Sequence, residues 1–419
     1  MSSRKAFLKQ ASLALFSIGM GGVPAFIARA AGSDKLLGPY KKNKVLLFIF
    51  QRGAMDGLMA VSPFTDPHLK AARPTLFMDA AKEGNDKPLA DLDGRFGLHP
   101  SMAAFEPLFR EKRLAIVHGM GSPNNTRSHF DAQDYMESGT PFNKGTASGW
   151  LNRAVGLLGH EATPFRAVSM TSSMPRSFYG DHETIAISNL QDFALPGKNN
   201  PAMNLTAKSF EDLYDQTTSS LLNKTGKESF EAIKMLGKTN LKNYLPANGA
   251  QYPNSPLGKS LKQIAQLIKM DVGLQVAFAE SGGWDTHYNQ GTVNGAFARN
   301  VADLSNSITA FHTDLGALQD DVTLMTATEF GRTVKQNGSN GTDHGRASCC
   351  FILGNNVNGG KVYGDVQPLA AENLADGRDL AVTTDFRSIF SEVADKHLQI
   401  SNDAVLFPGW TGQKLGIMK

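Results

Sequence analysis

Six short apolar runs punctuate the chain, at 45–50, 114–117, 166–170, 274–279, 322–326 and 347–353. Each is nearly continuous rather than alternating, the pattern of a strand covered on both faces. Stretches with helical spacing lie at 102–111, 130–137, 150–158, 209–222, 257–270 and 295–318. In the last of these, Phe297, Val301, Leu304, Ile308, Phe311, Leu315 and Leu318 recur every three or four residues and trace one helical face. Strands alternating with helices predict an α/β fold with a mostly parallel central sheet covered by helices on both faces. Residues 199–256 depart from this pattern. They are polar, rich in Lys and Asn, and end in the turn-dense LPANGAQYPNSP, which reads as a helical insertion closed by a loop.

The N-terminus has a different grammar. Arg4, Lys5 and Lys9 form a basic head, residues 10–28 carry no charge, and Ala28-Arg29-Ala30 offers a small-x-small exit. These are the parts of a secretory signal covering 1–30, and Gly19, Gly21, Gly22 and Pro24 make the stretch a poor membrane span. SRKAFLK resembles the twin-arginine export motif, with Lys5 where a second Arg is usual, so the export machinery for folded proteins is the expected partner and the periplasm or exterior the expected destination. Removing residues 1–30, which hold Arg4, Lys5, Lys9 and Arg29 and no acid, takes the formal charge from +3 to −1. The basic excess therefore belongs to the leader. No basic stripe interleaved with aromatics is present, which argues against nucleic acid. Cys349 and Cys350 are adjacent in an apolar run and read as buried, inert thiols facing opposite sides of a strand.

In open α/β sheets, ligands bind beyond the carboxyl ends of the strands. Four of the predicted strands are followed by polar loops. QRGAMDGL carries Asp56, and HGMGSPNNTRSHFDAQD carries His118, Thr126, Arg127, Ser128, His129 and Asp131. ESGGWDTHYNQ carries Glu280, Asp285 and His287, and 327–346 carries Glu329, Arg332, Asp343, His344 and Arg346. Carboxylates mixed with imidazoles suit one or two divalent ions, Zn, Mn, Mg or Ca, better than copper or an iron–sulfur centre. Ser128 precedes a helix start, where it serves either as an oxyanion-facing hydroxyl or as the helix N-cap, with Thr126 the alternative.

The motifs LLFIFQRGAMDGL, LDGRFGLHPSM, LAIVHGMGSPNNTRSHFDAQDYMESG, GGWDTHYNQ, TATEFGRTVKQNGSNGTDHGRAS and DGRDLAVTTDFRSIFSEV resemble the exported bacterial domain-of-unknown-function family 1501, from about residue 44 to 410. That family is grouped with the alkaline-phosphatase-like superfamily of metal-dependent phosphatases, sulfatases and phosphodiesterases. The resemblance implies a single three-layer domain over 44–410 and hydrolysis of a small anionic phosphate or sulfate ester. It implies Asp56, Asp285, His287, Glu329 and His344 as metal ligands, Ser128 or Thr126 as nucleophile, and Arg127 or Arg332 as the clamp on the ester oxygens. Phe330 stands where the superfamily has an imidazole, so that site either takes His129 instead or is lost. The sulfatase signature C/S-x-P-x-R is absent from SPNNTR. The competing expectation is a non-catalytic exported binding or assembly protein with a degenerate metal site.

Overall fold

The computed structural model describes residues 44–81, 87–159, 163–193 and 244–419. The leader expected at 1–30, the helix at 209–222 and most of the insertion at 199–256 lie outside the described residues. Strands in chain order are β1 (Val45–Gln51), β2 (Val61–Ser62), β3 (Ala90–Asp91), β4 (Gly97–Leu98), β5 (Leu114–Gly121), β6 (Ala167–Ser169), β7 (Ile185–Ala186), β8 (Val276–Ser281), β9 (Val322–Thr328), β10 (Ser348–Leu353), β11 (Val362–Tyr363) and β12 (Thr384–Asp385). Helices are α1 (Gly57–Ala60), α2 (Pro67–Ala72), α3 (Phe105–Arg110), α4 (His129–Ser138), α5 (Trp150–Leu157), α6 (Pro256–Lys269), α7 (Ala296–Leu315), α8 (Phe386–Leu398) and α9 (Asp403–Leu406).

The main sheet runs β7-β6-β8-β1-β9-β10-β5-β11, with β12 also paired to β5, and β2-β4-β3 form a small separate sheet. β1 is parallel to β8 and β9, and β6 is parallel to β7 and β8. β10 is antiparallel to both β9 and β5, so the sheet is mixed. The physical reason is the connection. A parallel return needs a crossover, usually a helix, whereas residues 329–347 form no helix and lead straight back into β10. That segment stays at the carboxyl end of the sheet and carries much of the site.

Every residue of β1 is buried, as its unbroken apolar run requires. Val45, Leu47 and Ile49 join a core with Leu261, Ile264, Phe297 and Ile308 of α6 and α7. Leu46, Phe48 and Phe50 join the opposite core, with Trp150 of α5 and Phe386, Phe390 and Val393 of α8. The sheet is thus sandwiched between helical layers. Cys349 and Cys350 fall in different cores, and burial pushes the Cys350 thiol up to about 12. No helix among the described residues is long and apolar enough to cross a membrane.

Candidate metal centre

The loops after β1, β5, β8 and β9 converge, because these strands all run in one direction and end on the same edge. His129 is the first residue of α4, which follows β5. Asp285 and His287 lie just past β8, Glu329 just past β9, and His344 forms a short antiparallel bridge with Arg332 before β10. Gly53 makes the approach of β1 possible. Its φ of 115° lies in the left-handed region, and a Cβ there would stand 2.7 Å from the backbone nitrogen of Asp285.

His129, Asp285 and His344 bring one ligand atom each to within 4.8 Å of one another. His344 Nε2 lies 3.0 Å from His129 Nε2 and 2.8 Å from His287 Nε2. Asp285 Oδ1 lies 3.0 Å from His287 Nε2, 3.2 Å from His344 Nε2 and 3.6 Å from His129 Nε2. Ligand atoms held at roughly 2.0–2.1 Å around a tetrahedral ion stand about 3.3 Å apart, so the separations among His129, Asp285 and His344 match a ligand set.

The outward nitrogens decide the tautomers. His129 Nδ1–H donates to Glu329 Oε1 at 2.8 Å, His287 Nδ1–H to Asp343 Oδ1 at 3.0 Å, and His344 Nδ1–H to the Arg127 carbonyl at 2.9 Å. With each proton held on Nδ1, a neutral ring presents the bare lone pair of Nε2 inward. Three such lone pairs and a carboxylate facing one another repel, and a shared cation relieves the repulsion. An outer acceptor fixing each imidazole is the usual second layer of a metal site. Without a cation the rings compete for protons. The Glu329 hydrogen bond, against the pull of burial, raises the pKa of His129, whereas burial and the neighbouring His129 lower that of His344 despite the bond to Arg127. Burial pushes the Asp285 carboxyl up, but the Arg332 hydrogen bond and charge outweigh it and hold the group below its ordinary value.

The structure redistributes several of the residues expected from the sequence. Asp56 is fully buried and outside the cluster: Arg73 binds both of its oxygens, at 2.8 and 3.1 Å, and Gln290 Nε2 donates to Oδ2 at 2.7 Å. Saturated in this way, it has no place as a metal ligand. Glu329 stands behind His129 rather than among the inner ligand atoms. It accepts from His129, Gly53 N and Gln133 through Oε1 and from Thr328 through Oε2. Burial pushes its carboxyl up, and these donors more than offset that.

Arg332 is buried with every nitrogen engaged, on the carbonyls of Gly53, Ala54, Trp284 and Thr342 and on Asp285 Oδ1 at 2.6 Å. It orients Asp285 and is not an open clamp. Arg127 is held by Asp376 and Asp379. Ser128 is the N-cap of α4, accepting from Asp131 N, and Thr126 Oγ1 accepts from Ser128 N at 3.2 Å. Phe330 is buried and packs on His129 and His344, with ring centroids 4.9 and 5.0 Å away, as one wall of the cluster. His118 lies within β5, with Nε2 on the Val61 carbonyl.

Arg73, Gln290 and Gln133 escaped the reading of the sequence. Arg73 lies 17 residues and Gln290 234 residues from the Asp56 they saturate, and no local motif announces either pairing. Asp343 was visible as a neighbour of His344, and its role behind His287 depended on a fold-level contact.

A family model described as "Protein of unknown function (DUF1501)" matches residues 43–406. No curated protein matches the chain. Among solved structures the chain is similar to the PsFucS1 sulfatase from Pseudoalteromonas sp., at 10% identity over 97% of this chain and 77% of that one, with a TM-score of 0.37. It is also similar to the zinc complex of the C-terminal periplasmic domain of EcEptC from Escherichia coli, at 9% identity over 75% and 73%, with a TM-score of 0.36. For alkaline phosphatase from the Antarctic bacterium TAB5 the identity is 11% over 75% and 93%, with a TM-score of 0.32.

Proposed function

We propose that this chain, which belongs to the DUF1501 family of proteins of unknown function, is an exported metal-dependent hydrolase of phosphate or sulfate esters. The observation that carries the reading is the convergence of three imidazoles, each with its Nδ1 proton already accepted, on one aspartate. His129, Asp285 and His344 would hold a divalent ion, with His287 standing beside the set, its Nε2 against His344 and Asp285. Bound there, the ion would act as a Lewis acid on a phosphoryl or sulfuryl oxygen and lower the pKa of a water.

The chain's own residues then have separable tasks. Glu329, Asp343 and the Arg127 carbonyl hold the three Nδ1 protons and keep each ring aimed inward. Arg332 fixes Asp285. Phe330 covers one face of His129 and His344 and keeps water from it. Ser128 caps α4 and so fixes the start of the helix that carries His129, which favours water over a serine hydroxyl as the attacking group. Zinc suits the imidazole-rich set better than manganese, which prefers oxygen ligands. Export through the twin-arginine pathway, directed by residues 1–30, belongs to the same proposal and would deliver the protein folded.

The test is hydrolysis of p-nitrophenyl phosphate, bis-p-nitrophenyl phosphate and p-nitrophenyl sulfate by the mature protein loaded with Zn or Mn. Turnover of at least one ester, abolished by chelation and restored by metal, supports the reading. No turnover of any of them, with no metal bound, refutes it.

A further inference from the structure

A metal centre takes up the acid half of an ester and leaves the alcohol half to other partners. The ends of β6, β7 and β8 offer them. These strands are parallel to one another and to β1, so they end on the edge that carries the metal centre. A cleft of about 620 Å³ opens there against α6, a volume usual for a small-molecule site. Ser172 lies three residues past β6, Ser188 two past β7, Lys259 and Lys262 come from the first two turns of α6, and Glu280 belongs to β8. The side chains of Ser172, Ser188, Lys259 and Lys262 make no hydrogen bond or ion pair among the described residues.

Glu280 joins this cleft to the metal centre. Its Oε2 accepts from Arg52 Nε at 2.7 Å, and Arg52 Nη1 donates to Glu137 and to Gln133 Oε1, both at 2.9 Å. Gln133 Nε2 donates at 2.9 Å to Glu329 Oε1, the atom that accepts from His129 Nδ1 at 2.8 Å. Gln133 also follows His129 by four residues on α4, which puts the two on one face of the helix. Three hydrogen bonds thus lead from the Arg52 guanidinium to the His129 ring.

Arg52 is fixed without being closed off. Two carboxylates hold its guanidinium over the Phe50 ring, 4.8 Å from the centroid. Its Nη2 bonds to nothing among the described residues and is open to solvent. The Glu280 side chain is 43% exposed, and its Oε1 is likewise unbonded among the described residues. An accessible donor and an accessible acceptor therefore stand side by side. Because Glu137 and Glu280 already neutralise the guanidinium, the pair suits a hydroxyl, which both donates and accepts, better than an anion.

We propose that the cleft binds the alcohol half of the ester and that this half is polyhydroxylated, a sugar or a polyol. One hydroxyl accepts from Arg52 Nη2 and donates to Glu280 Oε1, and others meet Ser172, Ser188, Lys259 and Lys262. This rests on the ester-hydrolase reading above and names its substrate class.

The experiment measures kcat and KM of the metal-loaded purified protein on the 6-phosphates of glucose and sorbitol and on n-hexyl phosphate, which keeps the carbon count and lacks the hydroxyls, and on the matching sulfates. Binding of free glucose and free sorbitol is followed by saturation-transfer NMR with and without metal. Wild type is compared with Glu280→Ala, Lys259→Met and Glu111→Gln, the last an exposed position just before β5 at the opposite edge of the sheet. Metal content and thermal midpoint are recorded for each. The hydroxylated esters should be preferred by at least ~10-fold in kcat/KM. Glu280→Ala and Lys259→Met should each raise KM for them ~5- to 10-fold, more than they lower kcat, with metal content kept, and Glu111→Gln should change nothing. Preference for glucose assigns the cleft to a sugar ring, preference for sorbitol to an open-chain polyol, and equal use to the hydroxyls common to both. Hydrolysis without preference for hydroxyls, or a preference that survives both cleft variants, overturns the proposal and leaves the hydrolase reading standing. So does a wild type that hydrolyses p-nitrophenyl esters and none of the hydroxylated ones. If no ester is hydrolysed and no metal is bound, the hydrolase reading falls; free-sugar binding that Glu280→Ala abolishes then upholds the cleft as a binding site, and no such binding overturns it too.

Discussion

Asp56 and Asp285 occupy matched positions. Each lies in the loop just past one of two neighbouring parallel strands, β1 and β8, and each is bonded to a buried arginine, Arg73 and Arg332. Their environments are opposite. The Asp56 side chain is 0% exposed and both oxygens are satisfied by Arg73 and Gln290. The Asp285 side chain is 48% exposed, and its Oδ1 faces three imidazole nitrogens as well as Arg332. Residue type and strand-end position are the same, so what separates a structural carboxylate from a candidate ligand is whether protein donors saturate it. The histidines divide along the same line: His118 and His397 are buried on backbone carbonyls, whereas His129, His287 and His344 turn their Nε2 atoms toward one another.

Acid should break the saturated half first. His118 and His397 are held down to about 4 mainly by burial, against an ordinary value of about 6.5. A histidine whose folded pKa is lowered contributes stability that is complete above the unfolded value. That stability is lost as pH falls from about 6.5 to about 4, because the unfolded chain binds the proton first. Each is worth ~3 kcal/mol at most, so urea midpoints should fall steeply between pH 6.5 and 4. A flat profile would contradict the assignment.

Asp285→Asn should strip the metal and abolish ester hydrolysis as chelation does, while the hydrogen-bonding shape that holds Arg332 survives. Asp56→Asn should do the reverse. It leaves the Arg73 charge buried and unmatched and costs ~3–5 kcal/mol, with metal content intact, measured by denaturation and elemental analysis. Glu329→Gln tests the layer between them. Loss of the charge behind His129 should weaken metal binding roughly 10- to 100-fold, read by chelator competition, with little change in fold. Ser128→Ala sits at the bottom of the scale. Loss of the cap costs ~1 kcal/mol, and activity within about threefold of wild type is expected, whereas a collapse in kcat would make Ser128 the nucleophile.

The fold was legible where the sequence speaks locally. The unbroken run that became β1 ended one residue past its expected end, and the helix expected at 295–318 starts one residue late and stops at Leu315, three residues short of Leu318. Helix α8 was readable but passed over: Phe386, Ile389, Phe390, Val393 and Ala394 are spaced to bury one face, and Asp385 caps it. The direction of β10 was not readable, because it follows from the absence of a helix in residues 329–347 rather than from any residue in the strand. In the site, Asp285, His287, His344 and His129 were recognisable as pairs of polar residues at strand ends. Asp56 looked the same, and only Arg73 and Gln290, brought in by the fold, remove it. Phe330 read as a missing ligand, yet its ring packs against the two imidazoles that converge beside it.

The most direct test of the central claim is the metal content per chain of the purified protein, measured by mass spectrometry on wild type, Asp285→Asn and Asp56→Asn side by side. The account predicts at least one equivalent of transition metal in wild type and in Asp56→Asn, and a loss of it in Asp285→Asn. Metal that is absent from wild type, or that survives Asp285→Asn and disappears with Asp56→Asn, would contradict it.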